Sequence, residues 1–468
     1  MKKAYIIALA MAVLLCVLPV SAAETAVDAS VMTGCNTLDG QIPFLGSNQL
    51  VSNTGAAVLY ETNTDTLMYA HNADVQIPPA SLVKILTALV AIEKGSLEDA
   101  VTVRADVLAT LAPDAAVVEL EADEVLTVND LLYCMMVGSG NDAAVVLADH
   151  VMGSQEAFVA EMNRYAVELG CTGTNFTNVH GLHDENQYTT ARDTARILSK
   201  AIQNPQFCEV FGAIYYSVPK TNKADERHLS SKNYLVNNDT DINYFDERVT
   251  GSRTGVATDR SRCIASVAQV EDMNLVCVVM GAKSQYEKDG YTEKVYGGYQ
   301  ETKQLFDLGF QGYKTAQILY SGQVLQQSSV LNGNCDVSMG AMNGASAVIP
   351  ANLNADALSY RYVDEIGLTA PIEAGQKVSA LQIWYGSVCL AQSDVYAMNS
   401  VATAGSVLTE DAGVKGAGSF GRVVLYLLAA AGVIALVGFA VLYALRAVRI
   451  AKARKAARRR NRSRRRSR

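Results

Sequence analysis

The chain has 468 residues, half of them hydrophobic, with 39 Lys and Arg against 47 Asp and Glu for a net charge of -8. That figure conceals a split. Residues 446–468 carry thirteen cations and no acid, and setting these aside with Lys2 and Lys3 leaves 24 cations against 47 acids, near -23. So acidic a body argues against a polyanion-binding domain, and nine scattered cysteines without a C-x-x-C pair point to neither a small disulfide scaffold nor a zinc site.

In chain order, Met1-Lys2-Lys3, the apolar run 4–20 and Ser21-Ala22-Ala23 read as a signal peptide over 1–23, with an uncleaved anchor as the alternative. A linker follows over 24–52. Residues 53–312 alternate strand-like runs (56–60, 275–280) with helical patterns (81–93, 128–152), which predicts a mixed α/β domain. Residues 313–401 show short alternating apolar segments with turns at Asn332-Gly333-Asn334 and Asn343-Gly344, which predicts a small all-β domain. Residues 402–421, rich in Ala, Gly and Ser, read as a spacer. The uncharged stretch 423–445 would span about 35 Å as a helix, enough to cross a bilayer once. The basic tail 446–468 is then expected on the cytoplasmic side, against anionic lipid rather than nucleic acid. This pattern predicts a single-pass cell-membrane protein with its folded domains outside.

Three short patterns can carry chemistry. In Pro78-Pro79-Ala80-Ser81-Leu82-Val83-Lys84 two prolines end an extended segment and a helical pattern begins, so Ser81 and Lys84 share one helix face. A lysine amine there can activate a serine without histidine, and a helix start favours a developing oxyanion. Ser217-Val218-Pro219-Lys220 has the same spacing, but proline inside the turn spoils it. Ser139-Gly140-Asn141 sits between the apolar run 131–137 and the helical pattern 143–150, where on a turn Ser139 can relay a proton and Asn141 can bind a peptide amide; Ser231-Lys232-Asn233 is a decoy of equal spacing. Arg253-Thr254-Gly255 opens a strand-rich region: cation and hydroxyl suit a terminal carboxylate, and glycine permits close backbone approach.

The order S-x-x-K, S-x-N, basic-T-G is that of penicillin-binding proteins and class A β-lactamases. The surrounding residues, including Asp130-Leu131-Leu132-Tyr133, Asn178-Val179-His180-Gly181-Leu182 and Ala370-Pro371-Ile372-Glu373-Ala374-Gly375-Gln376, closely resemble the low-molecular-mass serine D-alanyl-D-alanine carboxypeptidases. The resemblance implies a transpeptidase/β-lactamase-like α/β domain followed by the small all-β domain. It implies Ser81 as nucleophile, Lys84 as base, Ser139 as proton shuttle and Asn141 as backbone binder. Arg253, Thr254 and Gly255 would hold the substrate's carboxylate, and the N–H groups of Ser81 and Val256 would form the oxyanion hole. No cofactor or metal is implied; the substrate would be a peptidoglycan stem peptide ending in D-Ala-D-Ala, with β-lactams as inhibitors.

The sequence departs from the family pattern with Arg253 in place of lysine and with Val256, Ala257, Arg260 and Ser261 beyond the glycine. A catalytically weak peptidoglycan-binding or scaffolding homologue and a DD-endopeptidase are the alternatives. No G-x-S-x-G elbow supports a Ser-His-Asp hydrolase, no E-x-x-L-N segment follows Ser139 as a β-lactamase requires, and His180 and His183 read as loop residues rather than metal ligands.

Overall fold

The computed structural model describes residues 54–405 except 241, 258–259, 290–291, 354–356, 364–366 and 387. The expected signal peptide, the linker 24–52, the first residue of the α/β domain, the spacer beyond 405, the span 423–445 and the basic tail lie outside the described residues. Among the described residues no helix is long and apolar enough to cross a membrane.

The first domain is built on a five-stranded antiparallel sheet of β1 (Ala56–Glu61), β2 (Thr66–His71), β3 (Val249–Val256), β4 (Ser261–Val270) and β5 (Met273–Lys283), in the order β2-β1-β5-β4-β3. The apolar runs read from the sequence are continuous because both faces of the central strands are covered. Ala56, Val58 and Tyr60 join the core under the helices, while Ala57 and Leu59 join a second core on the opposite face. The helical layer comprises α1 (Val83–Lys94), α2 (Val128–Met136), α3 (Asn141–Met152), α4 (Gln155–Glu168), α5 (Ala191–Ala201) and α6 (Pro205–Gly212). Residues 83–91 of α1 are buried all round, as befits a helix at the centre of that layer. The opposite face is covered by α7 (Tyr299–Gly312), whose Leu305 and Phe306 pack on Leu59, Leu275 and Val279.

Two sequence readings are corrected in detail. Ser81 lies in a 3-10 turn, Ala80–Leu82, that leads into α1 rather than in the α-helix itself. The helical pattern 128–152 is two helices, broken at 137–140 by the Ser139-Gly140 turn. A capping box between Thr127 and Asp130 fixes where the first one starts.

Among the described residues from 313 to 405 the named elements are all β-strands. Strand β6 (Tyr313–Leu319) pairs with β9 (Ala345–Pro350), and β7 (Val324–Ser328), β8 (Val337–Ala341), β10 (Leu358–Tyr362), β11 (Lys377–Tyr385) and β12 (Val388–Ala397) form a sheet in the order β7-β8-β12-β11-β10. Val348 of β9 packs into the same core as Leu305 and Phe306, so α7 links the domains. Cys134, Cys171, Cys208, Cys263, Cys277, Cys335 and Cys389 are all free thiols.

Candidate active site

The site forms where the 3-10 turn carrying Ser81 meets the turn between α2 and α3 and the edge strand β3. Ala80 has a left-handed φ of 48°, which swings the chain out of the Pro78-Pro79 segment and into the turn. Ser81 is half-buried, and its hydroxyl makes no hydrogen bond among the described residues. One turn on, Lys84 is wholly buried and donates to Asn141 Oδ1 at 2.5 Å and to the Ser139 carbonyl at 3.3 Å. Burial, followed by the positive charge of Arg253, holds the Lys84 amine well below the usual lysine range, against an opposing pull from Asp142. An amine so depressed gives up its proton more readily than an ordinary lysine, which suits it to act as a base.

Ser139 also has a left-handed φ, 62°, a conformation that costs energy for a residue with a Cβ and is held here by its surroundings. Asn141 opens α3 with its N–H on the Ala116 carbonyl at 2.8 Å. The neighbouring Asp142 carboxylate takes the N–H groups of Val118, Leu120 and Ala143 at 3.0–3.1 Å, which ties the 116–120 loop to the start of α3.

Strand pleat decides which side chains of β3 face this cleft. Arg253 and Gly255 stand opposite Ala265 and Cys263, which belong to the core under the helices; Thr254 stands opposite Ile264, which packs with Tyr299 of α7. Arg253, 5 % exposed, donates through Nε to the Ser81 carbonyl (3.3 Å), through Nη1 to the Met136 carbonyl (2.6 Å) and through Nη2 to Ser139 Oγ (2.9 Å). Burial pulls this guanidinium down to about 10, so it stays charged at neutral pH. A Cβ at Gly255 would lie 2.5 Å from Ser81 N, a contact only glycine permits.

Arg253, expected to hold a substrate carboxylate, spends three of its five N–H donors on these protein oxygens, which leaves one on each of Nη1 and Nη2. One of the sequence readings needs correction. The Thr254 hydroxyl was expected in the cleft; it is enclosed on the other face beside Tyr299 OH without closing a hydrogen bond. Thr254 meets the cleft through its backbone alone. Ala257 donates its N–H to the Ser261 carbonyl at 2.8 Å, so alternation along the strand turns the N–H groups of Val256 and Thr254 to the free edge, on the side of Ser81. Ser81, Lys84, Ser139, Asn141, Arg253, Gly255 and Val256 therefore converge, and the decoys do not. Ser217 lies in a strand, its hydroxyl on His228 Nδ1 at 2.8 Å, and Asn233 is spent on Ser252 Oγ.

Sequence reasoning assigned no role to the loop 178–182, which completes the wall. Asn178 Oδ1 accepts the Gly181 N–H at 2.7 Å, and Gly181, at φ 90°, packs so closely on Ala80 that a Cβ would lie 2.0 Å from the Ala80 carbonyl oxygen. Burial and the nearby Lys84 pull His180 down to about 4, so it is neutral, and its Nδ1 accepts the Leu182 N–H. Among the described residues no His, Cys, Asp and Glu cluster could hold a metal.

A serine with a lysine amine one turn away, a second serine bridged to a buried cation and two backbone N–H groups aimed at one cleft make up the machinery of a serine acyl-transfer enzyme with a lysine base. Residues 46–284 match the family model described as D-alanyl-D-alanine carboxypeptidase, and residues 313–403 match the penicillin-binding protein 5 C-terminal domain. The chain belongs to the D-alanyl-D-alanine carboxypeptidase family. It is 30% identical over 361 residues to D-alanyl-D-alanine carboxypeptidase DacC of Escherichia coli, covering 75% of this chain and 84% of that one. It is 28% identical to DacF of Bacillus subtilis, over 77% of this chain and 89% of that one. The crystal structure of penicillin binding protein 5 from Haemophilus influenzae superposes with a TM-score of 0.60 at 29% identity, covering 75% of this chain and 98% of that one.

Proposed function

We propose that this protein is a serine D-alanyl-D-alanine carboxypeptidase of peptidoglycan metabolism, which removes the terminal D-Ala from stem peptides through an acyl-enzyme on Ser81. The observation that carries this reading is the buried Lys84 amine, one turn from the unpaired Ser81 hydroxyl, joined to Asn141 and Ser139 and held well below the usual lysine range by burial. Ser81 Oγ attacks the carbonyl carbon of the penultimate D-Ala while its proton passes to Lys84 Nζ. The oxygen becomes an oxyanion between the N–H groups of Ser81 and Val256. As the C–N bond breaks, the proton returns through the Ser139 hydroxyl to the leaving amine, and D-Ala departs. Water then attacks the ester, giving up its proton to the same base, and Ser81 is restored.

Asn141 holds the peptide backbone from the α3 side. Arg253 acts from behind: it fixes Ser139 Oγ and supplies a buried positive charge that favours a substrate ending in carboxylate, while Thr254 and Val256 offer the free strand edge and Gly255 lets that strand pack close to Ser81. A β-lactam follows the same first step, but its leaving nitrogen stays tethered and blocks deacylation. The sequence segments 1–23 and 423–445 support placing these domains outside a membrane in which the C-terminal helix is anchored.

Fluorescent penicillin should label the wild type and not Ser81→Ala, and the wild type should release D-Ala from a pentapeptide. A protein that neither labels nor releases D-Ala would return the scaffolding alternative.

A further inference from the structure

The Val256 N–H sits on an edge strand, with the cleft on one side and β4 as the neighbour on the other. Val256 stands opposite Arg262, and the bond from the Ala257 N–H to the Ser261 carbonyl makes theirs a pair that exchanges no backbone hydrogen bonds. On its far side β4 carries a bulge between Arg262 and Ile264, which interrupts the ladder with β5 at the same level. Side chains must therefore hold this end of the sheet. Arg262 turns to the face away from the cleft, as Thr254 does, and is 8 % exposed. Its guanidinium lies 5.5 Å from the ring centres of both Tyr296 and Tyr299. Its hydrogen-bond partner among the described residues is Glu293, whose two oxygens accept from Nη2 at 3.1 and 3.2 Å; Nε is enclosed without a partner.

Glu293 belongs to a hairpin, Gln285–Tyr286 paired with Glu293–Val295, whose residues take no part in the acyl-transfer steps. The hairpin has a second hold, since the Arg260 guanidinium lies 5.4 Å from the Tyr286 ring centre. It thus grips the chain on both sides of Ser261, the residue whose carbonyl fixes Ala257. A buried guanidinium that loses its carboxylate has to turn out to water, and the directly opposed Val256 shifts with it. We infer that the Arg262–Glu293 pair positions the oxyanion hole, acting from behind β3 to set the Val256 N–H against that of Ser81. This rests on the carboxypeptidase reading above. Arg262 and Glu293 are positioning residues, and neither is catalytic.

The test reads the oxyanion hole itself, through the infrared C=O stretch of the penicilloyl ester on Ser81, which falls as its N–H bonds strengthen. In Glu293→Gln the band should move to higher wavenumber and the acylation rate constant should fall about tenfold, while the dissociation constant of the noncovalent complex stays within about twofold. Glu287→Gln, the same charge change at an exposed position on that hairpin, should match the wild type in all three. Because Glu293 works through Arg262, Glu293→Gln should change nothing further in an Arg262→Met background. A wild-type band in Glu293→Gln, even with a lowered melting temperature, or rate losses that multiply in the double variant, overturns the inference. Should Glu293→Gln fail to fold, Glu293→Asp decides: it keeps the charge and shortens the reach by one methylene, so its band must lie above the wild-type position, and an unmoved band overturns the pair's role. Failure of the carboxypeptidase reading has a different signature, with no Ser81-dependent penicillin label on the wild type and no D-Ala release.

Discussion

Arg253 stands where the resemblance leads one to expect lysine, and its replacement tests the site in two separable ways. Arg253 spans three acceptors on three segments: the Ser81 carbonyl, the Met136 carbonyl and Ser139 Oγ. The single nitrogen of a lysine cannot reach all three. In Arg253→Lys the charge stays and the grip on Ser139 weakens; a hydrogen bond to a charged group contributes about 1.5–3 kcal/mol, so acylation should slow by roughly 10- to 100-fold. In Arg253→Met the charge goes as well. Lys84 is held low first by burial and then by Arg253, so losing that cation raises the Lys84 pKa. A larger share of Lys84 is then protonated at any given pH, and the acid limb of the acylation profile moves to higher pH. The assay is the second-order rate of penicillin acylation from about pH 5 to 10, with melting temperatures confirming that both variants fold. An acid limb that stays in place in Arg253→Met, or a wild-type rate in Arg253→Lys, would refute the reasoning.

Gly255→Ala should cost about 100-fold in acylation, because its Cβ would meet Ser81 N at 2.5 Å and force the nucleophile and its oxyanion N–H aside; stopped-flow acylation reads this directly. Lys84→Met should gain stability relative to wild type as pH falls from about 10 toward neutral. The folded pKa of Lys84 lies below the unfolded one, so in that window the unfolded chain binds the extra proton and only the wild type pays for it; a stability difference that is flat with pH contradicts this. Glu124 is fully enclosed and receives Arg227 Nη1 and Nη2 at 2.6 and 2.7 Å, with the Glu121 N–H and the Thr221 hydroxyl. Glu124→Gln, measured by urea unfolding near pH 7, should lose about 3–5 kcal/mol. Burial pushes the Glu124 carboxyl up and these bonds more than offset it, so the stabilisation is present above the unfolded carboxyl pKa and disappears as pH falls through the lowered folded value.

How much of this was readable in the sequence depends on whether a feature is local. The three-residue spacing of Ser81 and Lys84 fixes their shared face whatever the fold, and proline within the Ser217 copy correctly set it aside. The continuous apolar runs at 56–60 and 275–280 announced strands covered on both faces. By contrast, the partners of Arg253 include the Met136 carbonyl, 117 positions away, which no spacing encodes. The placing of Thr254 was open to inference: neighbours in a strand point to opposite faces, so Arg253 and Thr254 could not both present side chains to one ligand. The contact of Gly181 with Ala80 depends on a loop held by Asn178.

The central claim is a Ser81 ester formed with Lys84 as base, and peptide mapping by mass spectrometry after benzylpenicillin treatment tests it most directly. The account predicts a penicilloyl adduct confined to the peptide containing Ser81, absent from Ser81→Ala and strongly reduced in Lys84→Met. An adduct on Ser217 or any other residue, or one formed at an undiminished rate without Lys84, would contradict it.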